Sequence, residues 1–426
     1  MTDPKNNVFS YLTCPVDASP LELTVLERDA QGRPETGLLL GKTRLYPMIL
    51  GIPRLIADDT RGPLVAMLQR GDFDAAADLA LSWPDKNLSN RVQRKLSKLL
   101  LRVAPRFRIA HMIAAGLSTG RSLRASGGTV EDMLHNLESG IFVDWLLHRF
   151  SARTFKPLMT LSSLLRPNDL VLDVGGGFGH GAWVLSNHVP PEQIVMVDSV
   201  FAHLHVARTR MVQGAHCVAA DVSHGLPFSG VAFDSVVMSD TFHFVPDQHQ
   251  LAGEVMRLLS PQGRLILSQI HNGLIPDEFT GSPRSPQGYL DLFPDLQCSI
   301  MPNSDLLRMY AEELPLNIAK EIDLKSLEHV SELSLIADRD GSVLTNHAPP
   351  PVDTRNLHLA SVLTENENGQ LEPNTRISEI VCRFLYWPVC SNLAATDVLE
   401  GVAQQYARSG VTVSVPEHYF DLQKDR

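Results

Sequence analysis

The sequence predicts an α/β chain built on a Rossmann-like, mostly parallel sheet, with a small β-rich module ahead of it and a helical region between the two. Three observations predict it. Over residues 165 to 340, strand-like apolar runs alternate with helically spaced ones, the pattern of strands joined by crossover helices. Leu170-Val171-Leu172 leads into Asp173-Val174-Gly175-Gly176-Gly177-Phe178-Gly179, a buried strand that glycines turn sharply into a helix. The length of 426 residues exceeds one ordinary core of roughly 100 to 200 residues, so further units must flank the sheet.

Composition bounds the function classes. An apolar fraction of 44% and a charged fraction of 20% describe a globular chain rather than a disordered one. A formal net charge of -11 repels phosphate backbones, so no nucleic-acid partner is expected. The chain opens on no leader-like segment and contains no run of about 18 apolar residues, so a soluble cytoplasmic protein without a transmembrane segment is expected. Cys14, Cys217, Cys298, Cys382 and Cys390 contain no C-x-x-C pair. They read as reduced thiols, and no metal site is expected.

Residues 1–60 read as the β-rich module, because Leu21 to Leu26 and Leu38 to Ile56 are largely apolar and are punctuated by Gly32, Pro34, Gly37, Pro47, Gly51 and Pro53. Leu12-Thr13-Cys14-Pro15-Val16-Asp17 and Tyr46-Pro47-Met48-Ile49-Leu50-Gly51-Ile52-Pro53-Arg54-Leu55 resemble the four-cysteine zinc-ribbon module found at the front of some bacterial methyltransferases. That resemblance places the metal pairs at Cys14 with Asp17 and near Leu39 and Lys42. Only Cys14 is a cysteine, so a degenerate docking or scaffolding element is expected, with a second copy of the chain as one candidate contact.

Residues 61–158 read as helical, a lid or docking region. Leu64, Val65, Leu68, Ala75, Ala76, Leu79 and Leu81 recur at near-helical spacing, as do Leu134, Leu137, Ile141, Trp145, Leu146 and Phe150. Gly127-Gly128-Thr129 with Asp132 resembles a capped helix start. Between Arg91 and Arg124 stand nine Lys or Arg residues and no acid. This run is either a solvated helix face or a dock for an anionic partner.

The sheet itself spans residues 159–344. After the glycine run, Gln193-Ile194-Val195-Met196-Val197 forms a second strand that ends at Asp198, where a carboxylate can accept hydrogen bonds from both hydroxyls of a ribose. His216-Cys217-Val218-Ala219-Ala220 ends at Asp221 and Val222. A fourth strand, Phe233-Asp234-Ser235-Val236-Val237-Met238, runs into Ser239-Asp240-Thr241-Phe242-His243, with Asp247 placed to cap the next helix. Leu259-Ser260-Pro261-Gln262-Gly263-Arg264-Leu265-Ile266-Leu267 leads into a fifth strand.

These ordered segments resemble the class I S-adenosylmethionine (SAM)-dependent methyltransferase family: D-x-G-x-G at Asp173, Gly175 and Gly177 with Gly179 extending it, then F-D-x-V and L-x-P-G-G-x-L, with Gln262 in place of its first glycine. The resemblance implies SAM as cofactor and a cofactor site of Asp173, Gly175, Gly177, Gly179, Asp198, Asp221, Val222 and Ser239. In it, Asp173 serves the SAM ammonium group, Asp198 the ribose, Asp221 the adenine amino group, and Val222 packs on the ring. A competing dinucleotide reading exists, since Gly177-Phe178-Gly179-His180-Gly181-Ala182 also fits G-x-G-x-x-A, as an NAD-dependent oxidoreductase would.

On the acceptor side, His243 and His271 follow the fourth and fifth strands and are the candidate catalytic bases, because imidazole titrates near neutrality. The insertion Gly273 to Ser304, rich in Pro, Gly and aromatics, reads as a substrate lid. The function expected is methyl transfer to oxygen or nitrogen of a small molecule, a secondary metabolite or sugar-like compound. A carrier-bound or macromolecular acceptor, and a SAM-binding protein that does not methylate, are the alternatives. Residues 345–426 form a C-terminal extension with no assigned role.

Overall fold

The computed structural model describes residues 8–82, 123, 128–137, 141–230, 232–276, 281–353, 355–359, 363–365, 371–373 and 412–420. At the front, β1 (Glu22–Arg28), β2 (Pro34–Leu40), β3 (Leu45–Ile49) and β4 (Ile52–Pro53) make an antiparallel sheet in chain order. The β3–β4 link is only Leu50 (φ 52) and Gly51 (φ 70), two left-handed residues as a type I′ turn requires. A Cβ on Gly51 would press on the flexible end of the Arg208 side chain, and the left-handed backbone there favours glycine in any case.

The docking continues the main sheet. The Leu55 N–H donates to the Ala219 carbonyl at 2.7 Å, Arg54 bridges Ala219 in parallel, and the Thr13 N–H donates to Pro227 at 2.9 Å. An edge strand left open would present unpaired amides and carbonyls, and here the module covers them. Arg54 is almost fully buried beside this seam and pairs with Asp58 at 2.5 Å. Cys14 is buried against the Tyr46 hydroxyl at 3.3 Å, Leu39 belongs to the core, and Lys42 is exposed. The positions that the zinc-ribbon resemblance singles out therefore do packing work or face solvent.

Helices Arg61–Arg70, Phe73–Ser82, Val130–Leu137 and Ile141–Leu147 follow. Their apolar faces, including Leu64, Leu68, Ala76, Leu79, Val130 and Leu134, enter one core. The capped start at Thr129 is a reciprocal box: its hydroxyl accepts from the Asp132 N–H at 3.1 Å, and its own N–H donates to Asp132 Oδ2 at 3.1 Å. The basic run Arg91 to Arg124, Cys382, Cys390 and the apolar run Ile380 to Val389 lie outside the described residues.

The main sheet contains β5 (Val171–Val174), β6 (Ile194–Asp198), β7 (His216–Ala219), β8 (Phe233–Ser239), β9 (Leu259–His271) and β10 (Gln297–Pro302). Further along come β11 (Leu316–Asn317), which pairs with Asn346–His347, and β12 (Glu332–Asp338), the seventh strand of the sheet. Its spatial order is β10-β12-β9-β8-β5-β6-β7, with β12 antiparallel between β9 and β10 and the rest parallel. Alternation along the strands fills two cores. Leu172, Val174, Val195 and Val197 face one, and Val171, Met196 and Cys217 face the other.

The lid expected at Gly273 to Ser304 is corrected. Gln297–Pro302 is a sheet strand, and Tyr289, Leu292 and Phe293 are buried in the core. Aromatic and apolar residues clustered near Pro and Gly look alike in a lid and in a tight connection, and only pairing with β12 distinguishes them. In the C-terminal extension, Leu357–Leu359 pairs with Thr412–Ser414, and Tyr419 is buried at 1% exposure in the same core as the helices. Among the described residues no helix is long and apolar enough to cross a membrane.

Candidate functional site

The carboxyl ends of β5, β6, β7 and β8 converge, which is where ligands of open parallel sheets bind. The glycine loop stands at their centre. Gly175 (φ 78), Gly177 (φ 50) and Gly179 (φ 90) all occupy the left-handed region, and a Cβ on Gly175 would lie 2.3 Å from the Thr241 side chain. Glycine is demanded here twice, by conformation and by close approach. Gly179 is also the N-cap of helix His180–Leu185.

Asp198 at the end of β6 is half-buried and already ordered. Its Oδ2 accepts from the Gly177 N–H at 2.9 Å and its Oδ1 from the Val200 N–H at 2.8 Å. Each oxygen keeps a lone pair for an outside donor. Asp173 is the opposite case. It is 3% exposed, and its Oδ2 has no hydrogen-bond partner among the described residues. Burial pushes its pKa up to about 7, the nearby Asp198 charge pushes the same way, and Arg149 opposes both.

Asp221 is exposed and accepts from the Ser223 N–H at 3.0 Å, as the N-cap of a short 3-10 turn, while its neighbour Val222 packs against the core. Ser239 ends β8, and its carbonyl accepts from the Thr241 hydroxyl at 3.0 Å.

Several residues absent from the sequence expectation join the site. Arg149, 91 positions from Asp240 in the chain, approaches its Oδ2 at 3.5 Å and lies over the Trp145 ring at 4.2 Å. The Tyr419 hydroxyl meets His180 Nε2 at 2.9 Å and donates toward the Leu146 and Leu147 carbonyls. No local pattern marks either residue, because each acts across a long chain separation. Asp240 had a signal in its place at the strand end, one residue after Ser239.

His243 and His271 do come together. Their rings meet edge to face with centroids 4.6 Å apart, and Asp240, His243 and His271 present ligating atoms within 4.8 Å of one another. His243 is 1% exposed, and among the described residues neither of its ring nitrogens has a hydrogen-bond partner. Burial, reinforced by the neighbouring His271, lowers its pKa to about 4. A base that weak abstracts protons poorly near neutrality.

Residues 172–267 match the family described as a methyltransferase domain. The chain is 30% identical over 100 residues to demethylmenaquinone methyltransferase of Thermotoga maritima, covering 24% of this chain and 43% of that one. It is 29% identical over 138 residues to trans-aconitate 2-methyltransferase of Escherichia coli K12, covering 31% and 54%. The chain thus spans about half the length of the curated relatives it matches. Among solved structures, an S-adenosylmethionine-dependent methyltransferase from Mesorhizobium loti is 17% identical, covers 44% of this chain and 98% of its own, and superposes with a TM-score of 0.35.

The matched segment is thus similar to a methyltransferase domain and lies on a Rossmann-like α/β sheet. The dinucleotide reading of Gly177 to Ala182 is set aside, since the same residues lie inside that match and the antiparallel β12 departs from the strand order of dinucleotide folds.

Proposed function

We propose that this chain, on the premise of its methyltransferase domain, methylates an oxygen or nitrogen atom of a small molecule such as a secondary metabolite or sugar-like compound. One observation carries the cofactor half of the reading. The Asp198 carboxylate is tied to the Gly177 amide at 2.9 Å, beside the buried Asp173 carboxyl, whose Oδ2 has no hydrogen-bond partner among the described residues. That pair fits a ligand with a diol at one end and an ammonium group at the other.

In this reading Asp173 holds the ammonium group, Asp198 the ribose hydroxyls, and Asp221 with Val222 the adenine. Gly175, Gly177 and Gly179 let the backbone approach, and Ser239 closes the floor. Bound SAM supplies a methyl carbon whose bond to the sulfonium breaks as its bond to the acceptor forms, while an acceptor O–H or N–H releases its proton. The protein's own contribution is largely orientation, which can be worth several kcal/mol. In this reading His243 and His271 face the acceptor, and the low basicity of His243 supports orientation rather than proton abstraction.

A carrier-bound acceptor docking on Arg91 to Arg124 rests on sequence alone. Incubating the purified chain with methyl-labelled SAM and fractionated small-molecule extracts, followed by mass spectrometry, tests the proposal. Labelled low-mass products support it; label found only on protein or carrier fractions refutes the small-molecule acceptor, and no transfer at all refutes the activity.

A further inference from the structure

We propose that Asp240, His243 and His271 form a binding site for a divalent transition-metal ion, placed to coordinate an oxygen atom of the acceptor. The ligating atoms already lie within 4.8 Å of one another, with His243 Nε2 3.8 Å from Asp240 Oδ1. Around an ion held at about 2.0 to 2.1 Å, neighbouring ligand atoms sit about 3.3 Å apart. Side-chain rotations that close the cluster by at most about 1.5 Å are sufficient.

The second observation is the state of His243. An imidazole at 1% exposure has lost its water, and neither nitrogen recovers a hydrogen bond from the described residues. A buried polar group left this way is destabilising, and such exceptions call for an explanation. A metal ion on one nitrogen supplies it.

The scaffold also fixes the cluster by its main chain. The His243 carbonyl accepts from the Ser282 N–H at 2.7 Å, and the His271 carbonyl accepts from the Tyr289 hydroxyl at 2.9 Å. Asp240 is left-handed (φ 56), and its N–H donates to Ser268 at 2.9 Å. Its Oδ2 faces Arg149 while its Oδ1 faces His243. A carboxylate ligand commonly has such an outer partner, which orients the oxygen that binds.

Two imidazoles and one carboxylate suit Zn²⁺, Fe²⁺, Co²⁺ or Mn²⁺ better than Ca²⁺ or Mg²⁺, which take oxygen sets. Three protein ligands leave positions open for a substrate oxygen. The next residue after Asp240 is Thr241, which abuts Gly175, so the ion lies beside the glycine loop. An ion there lowers the pKa of a bound acceptor hydroxyl, whose proton passes to solvent, and does so without a strongly basic side chain. This acceptor role rests on the methyl-transfer proposal; the binding of the ion does not.

The test is a titration of chelator-stripped full-length chain with Co²⁺, followed by visible absorption, with Zn²⁺ added in competition. The expected result is one Co²⁺ per chain with ligand-field bands that Zn²⁺ bleaches. His243→Ala, His271→Ala and Asp240→Asn should each weaken binding ten-fold or more, while the exposed His249→Ala leaves it unchanged. Should His243→Ala fail to fold by circular dichroism, His243→Gln takes its place. A wild-type chain without Co²⁺ bands, or His243 and His271 variants that bind as wild type does, overturns the site. SAM titration of the same samples is read separately: Co²⁺ binding without SAM binding keeps the ion site and removes only its acceptor role.

Discussion

The Gly177 amide donates to Asp198 Oδ2 across 2.9 Å, so the glycine loop and the end of the second sheet strand hold each other in place. Replacing Asp198 therefore has two effects, the loss of a hydroxyl acceptor and the release of the loop. Asp198→Ala should weaken SAM binding by about 10- to 100-fold, since hydrogen bonds to charged groups are worth about 1.5–3 kcal/mol. Isothermal titration calorimetry measures this, and affinity within two-fold of wild type would remove Asp198 from the site.

Asp173 makes SAM binding pH-dependent. Its carboxyl is held up to about 7 in the free protein, so below that pH a proton must leave before the carboxylate can pair with the ammonium group. Affinity should rise with pH toward about 7, by no more than about ten-fold per unit, and level off above. Calorimetry at pH 6 in buffers of different ionisation enthalpy should show proton release on binding. The same shift acts on stability. The group is raised above its unfolded value of 3.8, so its contribution is fully present below that pH and is lost as pH rises through about 7.

Tyr419 fastens the C-terminal strap to the site. Its hydroxyl serves His180 and two carbonyls in a buried setting, and its ring packs edge to face on Phe150 at 5.5 Å. Tyr419→Phe should cost about 1–3 kcal/mol by leaving those groups unpaired, and Tyr419→Ala about 3–5 kcal/mol. Urea denaturation reads both. Wild-type stability in Tyr419→Ala would mean that residues 412–420 do not pack as described.

Arg54 tests the seam between the front module and the sheet. It is 2% exposed and bidentate to Asp58, so Arg54→Ala leaves the partly buried Asp58 carboxylate without its cation, held only by hydrogen bonds from Thr60 and Arg61, and should destabilise the chain by about 3 kcal/mol. Hydrogen exchange should show the Leu55 amide, bonded to Ala219, losing protection first.

Much of the local fold was legible in sequence because it is set by neighbouring residues. Leu170 to Gly179 is one strand and its turn, and the capping of Thr129 by Asp132 and of the helix after Asp247 are bonds over three residues. Asp221 was legible as a strand-end acid, and the structure also gives it a capping partner in Ser223. Gln297–Pro302 was misread as lid because its own residues do not say what it pairs with.

By itself the sequence determined the alternation of strands and helices, the left-handed glycine loop and the order of the acids after each strand. Those follow from backbone conformation and side-chain period, which a few neighbouring residues set. Only the tertiary structure decided that Arg149 faces Asp240, that Tyr419 reaches His180, and that His243 and His271 stand edge to face beside Asp240. Each of these contacts joins separate elements. Their energies arise from burial and charge pairing across the sheet ends, which no local pattern encodes.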